Sequence, residues 1–457
     1  MEQNILYYST NHNTAPVSFK EALLKGLAPD GGLFMPTSIP SFMPDELESY
    51  ANLPYYEIAF NIARKFLKHE IKDSDLLNIT RDAYTFDVPL ENVVDRKHVL
   101  RLDRGPTASF KDFAARMMGR LMQHFLKKEN RKMLILTATS GDTGSAIANA
   151  FYGLDNINVV ILFPEKEVTE GQRKQMTTLE KNIHIVALEG KFDDCQAMVK
   201  QAFNDRDLDY LQLSSANSIN IGRLLPQSIY YVYAYCKLKK QGIDEKIIFS
   251  VPSGNFGNLM GGLIAHKMGL PVEKFVVSTN ENDEVPEYFR TNIYKTIVPS
   301  INCISSAMNV GHPSNMSRII ELYGGAMNEK GVILKSPDTG MLKKDMWAIS
   351  ISDEKTKETI IKAWKEHKLL LEPHGAVGWA AMTEFLNDHK KFDNQEQLCV
   401  SLETAHPAKF PKEINELLGF DPELPDSLKG LDNKPEFMKK SSNNYPDFKN
   451  FLTSNYS

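Results

Sequence analysis

The stretch Arg101-Leu-Asp-Arg-Gly105-Pro-Thr-Ala-Ser109-Phe-Lys111-Asp-Phe-Ala-Ala-Arg116 decides how the chain is read. Gly105-Pro106-Thr107 cannot be helical, and Ser109 is a residue type that caps a helix start. Beyond it Phe113, Met117, Leu121 and Phe125 recur at helical spacing, which buries one face. Lys111 therefore stands where a loop ends and a helix begins. That is a poor place for an ammonium, because a helix N-terminus carries partial positive charge. Flanking Phe110 and Phe113 add desolvation. Both effects lower a lysine's pKa and favour the neutral, nucleophilic amine that a Schiff base with an aldehyde requires. An ordinary lysine in a first helical turn has the same local signature, so the reading rests on the rest of the chain.

Outward from this stretch, short apolar runs alternate with helical patterns. Met133-Leu-Ile-Leu-Thr137 and Ile247-Ile-Phe-Ser-Val251 are uninterrupted apolar runs bounded by charge or glycine, as in buried parallel strands. Ile221–Lys240 reads as one long helix. Repeated strand–helix units predict an α/β fold with open, mostly parallel sheets covered by helices. Ligands in such folds sit at the carboxyl ends of the strands. Residues 1–95 read instead as a mainly helical unit with no titratable cluster, 96–430 as the strand–helix region with a smaller subdomain at 133–215, and 431–457 as a C-terminal surface tail.

The composition narrows the function class. The chain has 457 residues, 42% hydrophobic and 24% charged, as expected of a globular protein of two or three domains. A net charge of −5 gives no footprint for nucleic acid or an anionic membrane. Cys195, Cys236, Cys303 and Cys399 are scattered without CxxC spacing, so neither a metal site nor a disulfide framework is expected. Reduced thiols fit a cytoplasmic protein. The N-terminus lacks a basic region followed by an apolar run, and no signal peptide is expected.

Four further stretches carry chemistry. Ser253-Gly-Asn-Phe-Gly-Asn258 lies between a strand and a helix, where turned backbone N–H groups and the helix dipole make an anion site suited to phosphate. Thr137-Ala-Thr-Ser-Gly-Asp-Thr-Gly144 is a second such turn, rich in hydroxyls and suited to a carboxylate; a plain helix cap would look similar. Ser214–Arg223 is polar and reverses the chain. Arg223 in a first helical turn is disfavoured unless an anion is near. Finally, Thr404 in Leu402-Glu-Thr-Ala-His-Pro-Ala-Lys-Phe410 would emerge at a strand's carboxyl end.

In order along the chain, Ser-Phe-Lys111-Asp, Thr-Ser-Gly-Asp-Thr-Gly144, Ser-Ile-Asn220, Ser-Gly-Asn-Phe-Gly-Asn258, Thr-Asn-Glu-Asn-Asp283 and Thr-Ala-His-Pro-Ala-Lys-Phe410 resemble the motifs of the threonine synthase family. These are pyridoxal-phosphate enzymes of the tryptophan-synthase-β fold type (fold type II), and the resemblance spans nearly the whole chain. It implies a Schiff base on Lys111, a phosphate cradle of Gly254, Asn255, Phe256, Gly257 and Asn258, and a hydrogen bond from Thr404 to the pyridine nitrogen. It implies a substrate-carboxylate grip by Thr139, Ser140, Asp142 and Thr143, and a substrate-phosphate site with Asn217 and Arg223. The implied reaction is O-phospho-L-homoserine plus water to L-threonine and phosphate, by a cytoplasmic monomer or homodimer without a metal. Asp103-Arg104 and His312 depart from the family pattern. A dehydratase or lyase of the same fold type, or a non-catalytic relative, remains an alternative on sequence alone.

Overall fold

The structure, a computed structural model, describes residues 4–139, 141–389 and 396–456. Two sheets organise it. The larger has six strands in the order Met346–Ser350, Val272–Thr279, Ile247–Pro252, Cys399–Glu403, Lys97–Arg101 and Leu90–Val94. All of its neighbours pair in parallel except the last two, which are antiparallel. The smaller has five strands in the order Lys439–Ser441, Ile183–Leu188, Ile157–Pro164, Met133–Ala138 and Leu213–Ser214, parallel throughout. The expected α/β class with two open, mostly parallel sheets is what the chain forms. Met133–Ala138 and Ile247–Pro252 are buried along their whole length, which is why they read as unbroken apolar runs.

The N-terminal region is mainly helical, with helices Phe19–Lys25, Glu46–Ser49, Tyr55–Leu67 and Asp73–Ala83 and a small pair of antiparallel strands, Tyr7–Ser9 and Phe34–Pro36. Ser18 caps the first helix by accepting from Glu21 N, and Gly26 at φ 74° ends it. Leu90–Val94 already belongs to the edge of the larger sheet, so the helical unit ends ahead of residue 95. The unit packs on the Lys111 helix through an aromatic cluster. Phe113 meets Tyr55, Phe86 and Tyr230 edge to face, and Tyr84 Oη donates to Phe113 O at 3.1 Å.

The C-terminal segment, expected as a surface tail, keeps most of its side chains exposed but also forms a strand and a helix. Lys439–Ser441 pairs with Val186–Leu188 and extends the smaller sheet, and Tyr445–Tyr456 is a helix. Phe448 and Leu452 are 1% and 0% exposed, sealing the apolar cluster of Leu162, Val186 and Met198. Arg173–Glu436 at 2.8 Å and Lys449–Asp205 at 2.8 Å flank it. The segment is polar in sequence because a single stripe of its helix is covered and its strand lies at an edge.

Two predictions follow from this packing. Leu452→Ala should destabilise the chain by about 2–5 kcal/mol in chemical denaturation, the cost of a cavity at a closed site. The second concerns Glu284, 2% exposed, neither of whose carboxyl oxygens has a partner among the described residues. Burial pushes it up to about 8. A raised carboxyl contributes stability that is fully present below its unfolded pKa and lost as pH rises through the folded one. Wild type should therefore lose stability between about pH 4.5 and 8, and Glu284→Gln should flatten that slope.

Candidate active site

Lys111 is the first residue of the helix Lys111–Glu129. The loop before it folds back onto the helix start: Asp112 accepts from Thr107 N at 2.8 Å and from Thr107 Oγ1 at 2.7 Å. A Cβ on Gly105 would fall 2.4 Å from Asp112 Oδ2, so only glycine fits that fold-back. Ser109 Oγ accepts from Lys111 N at 3.2 Å, one residue short of a standard cap, and Phe110 takes the cap position. Beside this loop runs the chain that leaves the strand Cys399–Glu403. Phe110 N donates to Thr404 O at 2.8 Å and His406 N to Ala108 O at 3.0 Å. Backbone bonds thus splice Lys111 to Thr404 at the carboxyl end of the larger sheet, where an α/β fold places its ligands.

The Lys111 side chain is 14% exposed. Burial lowers its pKa to about 8, opposed by Asp142 and reinforced by the positive charges of Lys409 and Arg223. Of the two phenylalanines expected beside it, Phe110 lies under the amine, 6.0 Å from Nζ to the ring centre, while Phe113 belongs to the aromatic cluster. The amine thus has a minor but appreciable neutral fraction near physiological pH, which is what a Schiff-base lysine needs.

The turn after Met133–Ala138 is held from within. Thr139 Oγ1 accepts from Gly141 N at 3.0 Å and Gly144 N at 2.8 Å. The helix starts at Asp142, inside the stretch that reads as a turn, so Asp142 and Thr143 lie in its first turn. Ser140 lies outside the described residues. Asp142, expected to help grip a substrate carboxylate, has its own carboxylate taken. Oδ1 is 2.6 Å from Lys409 Nζ and 3.1 Å from Gln172 Nε2, and Oδ2 is 3.9 Å from Lys111 Nζ. Burial would raise its pKa, but Lys409 and Lys111 outweigh that and hold it well below the usual carboxylate range.

The glycine loop sits in the same layer. Phe256 adopts φ 61° and precedes the helix Gly257–Lys267. A Cβ on Gly254 would lie 2.8 Å from Ala307 O, so the segment 307–308 closes down on a bare backbone. Asn258 is a staple: Nδ2 donates to Pro252 O at 2.7 Å, and Oδ1 accepts from Ser253 Oγ at 3.1 Å and Leu259 N at 2.9 Å. Its side chain shapes the loop, which leaves backbone N–H groups at a helix start as the anion donors.

Arg223 is 3% exposed but does not begin the long helix. Ile221–Arg223 is a 3-10 turn and the α-helix starts at Leu225, where Pro226 suits the first turn. Arg223 Nη1 donates to Ala216 O at 2.8 Å, while Nε and the buried Asn217 Oδ1 have no partner among the described residues. Burial lowers the Arg223 pKa to about 10, with Asp112 and Tyr230 opposing. A guanidinium buried with an unused donor is a place where an anion fits.

Other residues have parts that the sequence did not reveal. Thr404 Oγ1 donates to Glu372 Oε1 at 3.4 Å, and Glu372 caps the helix Pro373–Asp388 and takes His374 Nδ1 at 2.5 Å. His374 Nε2 in turn accepts from Ala307 N at 3.0 Å, joining Thr404 to the segment over Gly254. Glu403 is also buried, and burial together with Glu372 raises its pKa strongly. Arg318, fully buried, donates to Phe34 O, Ser218 O, Asn315 Oδ1 and Ile219 O, and Asn315 Nδ2 donates to Asn255 O at 2.9 Å. Burial lowers the Arg318 pKa to about 9. The one sequence signal for these was the Lys409 of the Thr404–Phe410 motif; Glu372 and Arg318 stand in unremarkable sequence.

Comparison with known proteins agrees with this geometry. Residues 6–84 match the model for the threonine synthase N terminus, 97–403 the pyridoxal-phosphate dependent enzyme model, and 375–452 the threonine synthase C-terminal model. The threonine synthase of Haemophilus influenzae is 40% identical over 448 residues, spanning 97% of this chain and 99% of its own. That of Escherichia coli is 38% identical over 424 residues, 93% of each chain. The crystal structure of pyridoxal-phosphate-bound threonine synthase from Brucella melitensis superposes with a TM-score of 0.91 at 32% identity, over 99% of this chain and 100% of that one. The yeast threonine synthase structure gives 0.89 at 33% identity, over 98% of both chains. With matches covering nearly its whole length at this identity, the chain belongs to the threonine synthase family of pyridoxal-phosphate-dependent enzymes.

Proposed function

We propose that the chain converts O-phospho-L-homoserine and water into L-threonine and phosphate, and that Lys111 is the residue that holds pyridoxal phosphate. The observation that carries this is an amine at a helix start, its side chain 14% exposed, spliced by backbone bonds to Thr404 at the strand ends. The site fits the cofactor. The Gly254 backbone is closed in by Ala307 in a space that a Cβ would fill, and the helix start at Gly257 offers N–H groups to a phosphate. When bound, pyridoxal phosphate supplies an electron sink for charge developing at the substrate's Cα.

The chain's own residues would do the rest. Residues 254–258 would hold the cofactor phosphate, Asn258 through the loop it staples, and Thr404 would be the hydrogen-bond partner of the ring nitrogen. Lys111 would take the proton from the substrate's Cα and shuttle it, as a base with a pKa near the working pH does well. Asn217 and Arg223 would receive the substrate's phosphate, and Thr139 and Thr143, with Ser140 as the sequence motif implies, would receive its carboxylate. The 96–430 region carries this chemistry, and the N-terminal unit packs beneath it. The reading is of a cytoplasmic enzyme, monomer or homodimer, acting on a small molecule without nucleic acid or membrane. No helix among the described residues is long and apolar enough to cross a bilayer.

Incubation with O-phosphohomoserine and assay of threonine, phosphate and 2-oxobutyrate tests the reaction; 2-oxobutyrate as the main product would replace it with lyase activity. Lys111→Ala should lose the cofactor absorbance on dialysis and lower turnover by at least about 10²–10⁴-fold. Retained turnover in that variant would remove Lys111 from its role. Arg223→Ala should lose about 2–4 kcal/mol of transition-state stabilisation with O-phosphohomoserine. The loss should be much smaller in any slow reaction of serine, which has no phosphate, and the cofactor absorbance should not change. Arg223→Lys should remain impaired, since it keeps charge but not the planar fork. Equal loss on both substrates would assign Arg223 to folding instead.

A further inference from the structure

We propose that Lys409 is a positioning residue for Lys111, acting through the Asp142 carboxylate that lies between the two amines. Lys409 comes from the turn that follows the strand Cys399–Glu403, and its side chain is 3% exposed. Among the described residues its acceptors are Asp142 Oδ1 at 2.6 Å and Thr107 O at 3.1 Å. Thr107 is the residue that Asp112 holds against the start of the Lys111 helix. Gln172 and Gln175, on the helix Glu170–Thr177, complete the arrangement: Gln172 Nε2 donates to Asp142 Oδ1 at 3.1 Å and Gln175 Nε2 to Thr107 O at 3.2 Å. One oxygen of Asp142 is thus clamped from two sides, and the other is presented to Lys111 at 3.9 Å.

The division of the two oxygens is the point of the argument. A buried pair serving stability alone needs one cation and one carboxylate, and isolated buried pairs are weak contributors to stability. Here a second amine faces the same carboxylate. The clamp fixes where that carboxylate is, and Lys409 shares its charge. Lys111 therefore has a fixed, partly neutralised partner, one that attracts its ammonium without trapping the proton. The direction of the shifts agrees, since Asp142 is held ionised while Lys111, for all its nearness to a carboxylate, stays at about 8. A carboxylate so engaged would repel a substrate carboxylate, so Asp142 is not part of that grip. Among the described residues, the charged groups that bear most on Lys111 are Asp142 from the helix Asp142–Phe151, Lys409, Arg223 ahead of Leu225–Lys240, and Glu372 at the start of Pro373–Asp388. Asp112 follows it on its own helix.

The contacts do not depend on the proposed function; their consequence for proton transfer does. The test therefore has two readouts. In the full-length chain freed of cofactor, reductive methylation with formaldehyde is followed across pH at Lys111 by peptide mass mapping. In the loaded enzyme, the pH midpoint of the cofactor absorbance is measured. Lys409→Met removes a repelling charge and leaves Asp142 to Lys111 alone, so the methylation midpoint should rise by about one pH unit, a tenfold change. Asp142→Asn should lower it by a similar amount. Lys409→Arg should restore a midpoint near wild type. Should Lys409→Met not fold, Lys409→Gln carries the same expectation. Opposite shifts with rescue by arginine support the proposal, because general loosening of the site would move both variants the same way. Shifts in one direction, no shift, or an arginine variant that behaves like methionine would overturn it. If Lys111 is not the cofactor's lysine, the methylation midpoints still move apart while the absorbance midpoint stays put, which separates failure of the functional reading from failure of this one.

Discussion

The site depends on a short backbone splice. Phe110 N to Thr404 O and His406 N to Ala108 O join two segments nearly 300 residues apart, one entering a helix and the other leaving a strand. Each such bond adds only about 1 kcal/mol net, but a buried peptide group left unpaired costs more than that. The pairing therefore admits little slippage, and with it the Lys111 amine and the Thr404 hydroxyl share one frame. Gly105 and Asp112 lock the loop on one side, and the cap at Glu372 locks the other.

Around that frame the charges are arranged so that burial does most of the work. Lys111, Lys409 and Arg223 are three buried cations, with Asp142, Asp112 and Glu372 as the carboxylates among them. Taking such groups out of water is expensive, and the pairs that form offset the cost without making the region especially stable. What the arrangement provides is control over protonation. Burial is the largest cause of the depressed Lys111 and the raised Asp112, at about 8 and about 6, and neighbouring charges and hydrogen bonds adjust both from there.

The parts furthest from the chemistry hold its loops in place. Arg318 ties the strand at Phe34, the turn at Ser218–Ile219 and, through Asn315, the loop at Asn255. Asn220 donates to Leu23 O in the N-terminal unit and to Ser215 O. The N-terminal unit is thus more than a packing layer, since two of the three loops read as anion sites, at 214–223 and 253–258, lean on it. The C-terminal segment does the same for the smaller sheet, covering an edge that would otherwise present unpaired backbone.

By itself the sequence determined the local features: the helix start at Lys111, the buried runs of the two parallel sheets, the glycine loop at 254–258, and through the order of its motifs the family. These are legible because helix starts, strand burial and bare-backbone turns are dictated by residues close in sequence. Only the tertiary structure decided the partners. Asp142 sits in a loop that reads as a ligand grip, yet its carboxylate answers to Lys409, far along the chain. Arg223 reads as an α-helical residue, yet it stands in a 3-10 turn because Pro226 and the close approach of Leu23 at Gly222 set the chain there. Lys439–Ser441 and Leu452 read as tail, yet they complete a sheet and a core. An ion pair across such distances, or an edge strand of three polar residues, leaves no periodic trace in sequence. Its energy exists only once long-range packing has brought the groups together and removed the water between them.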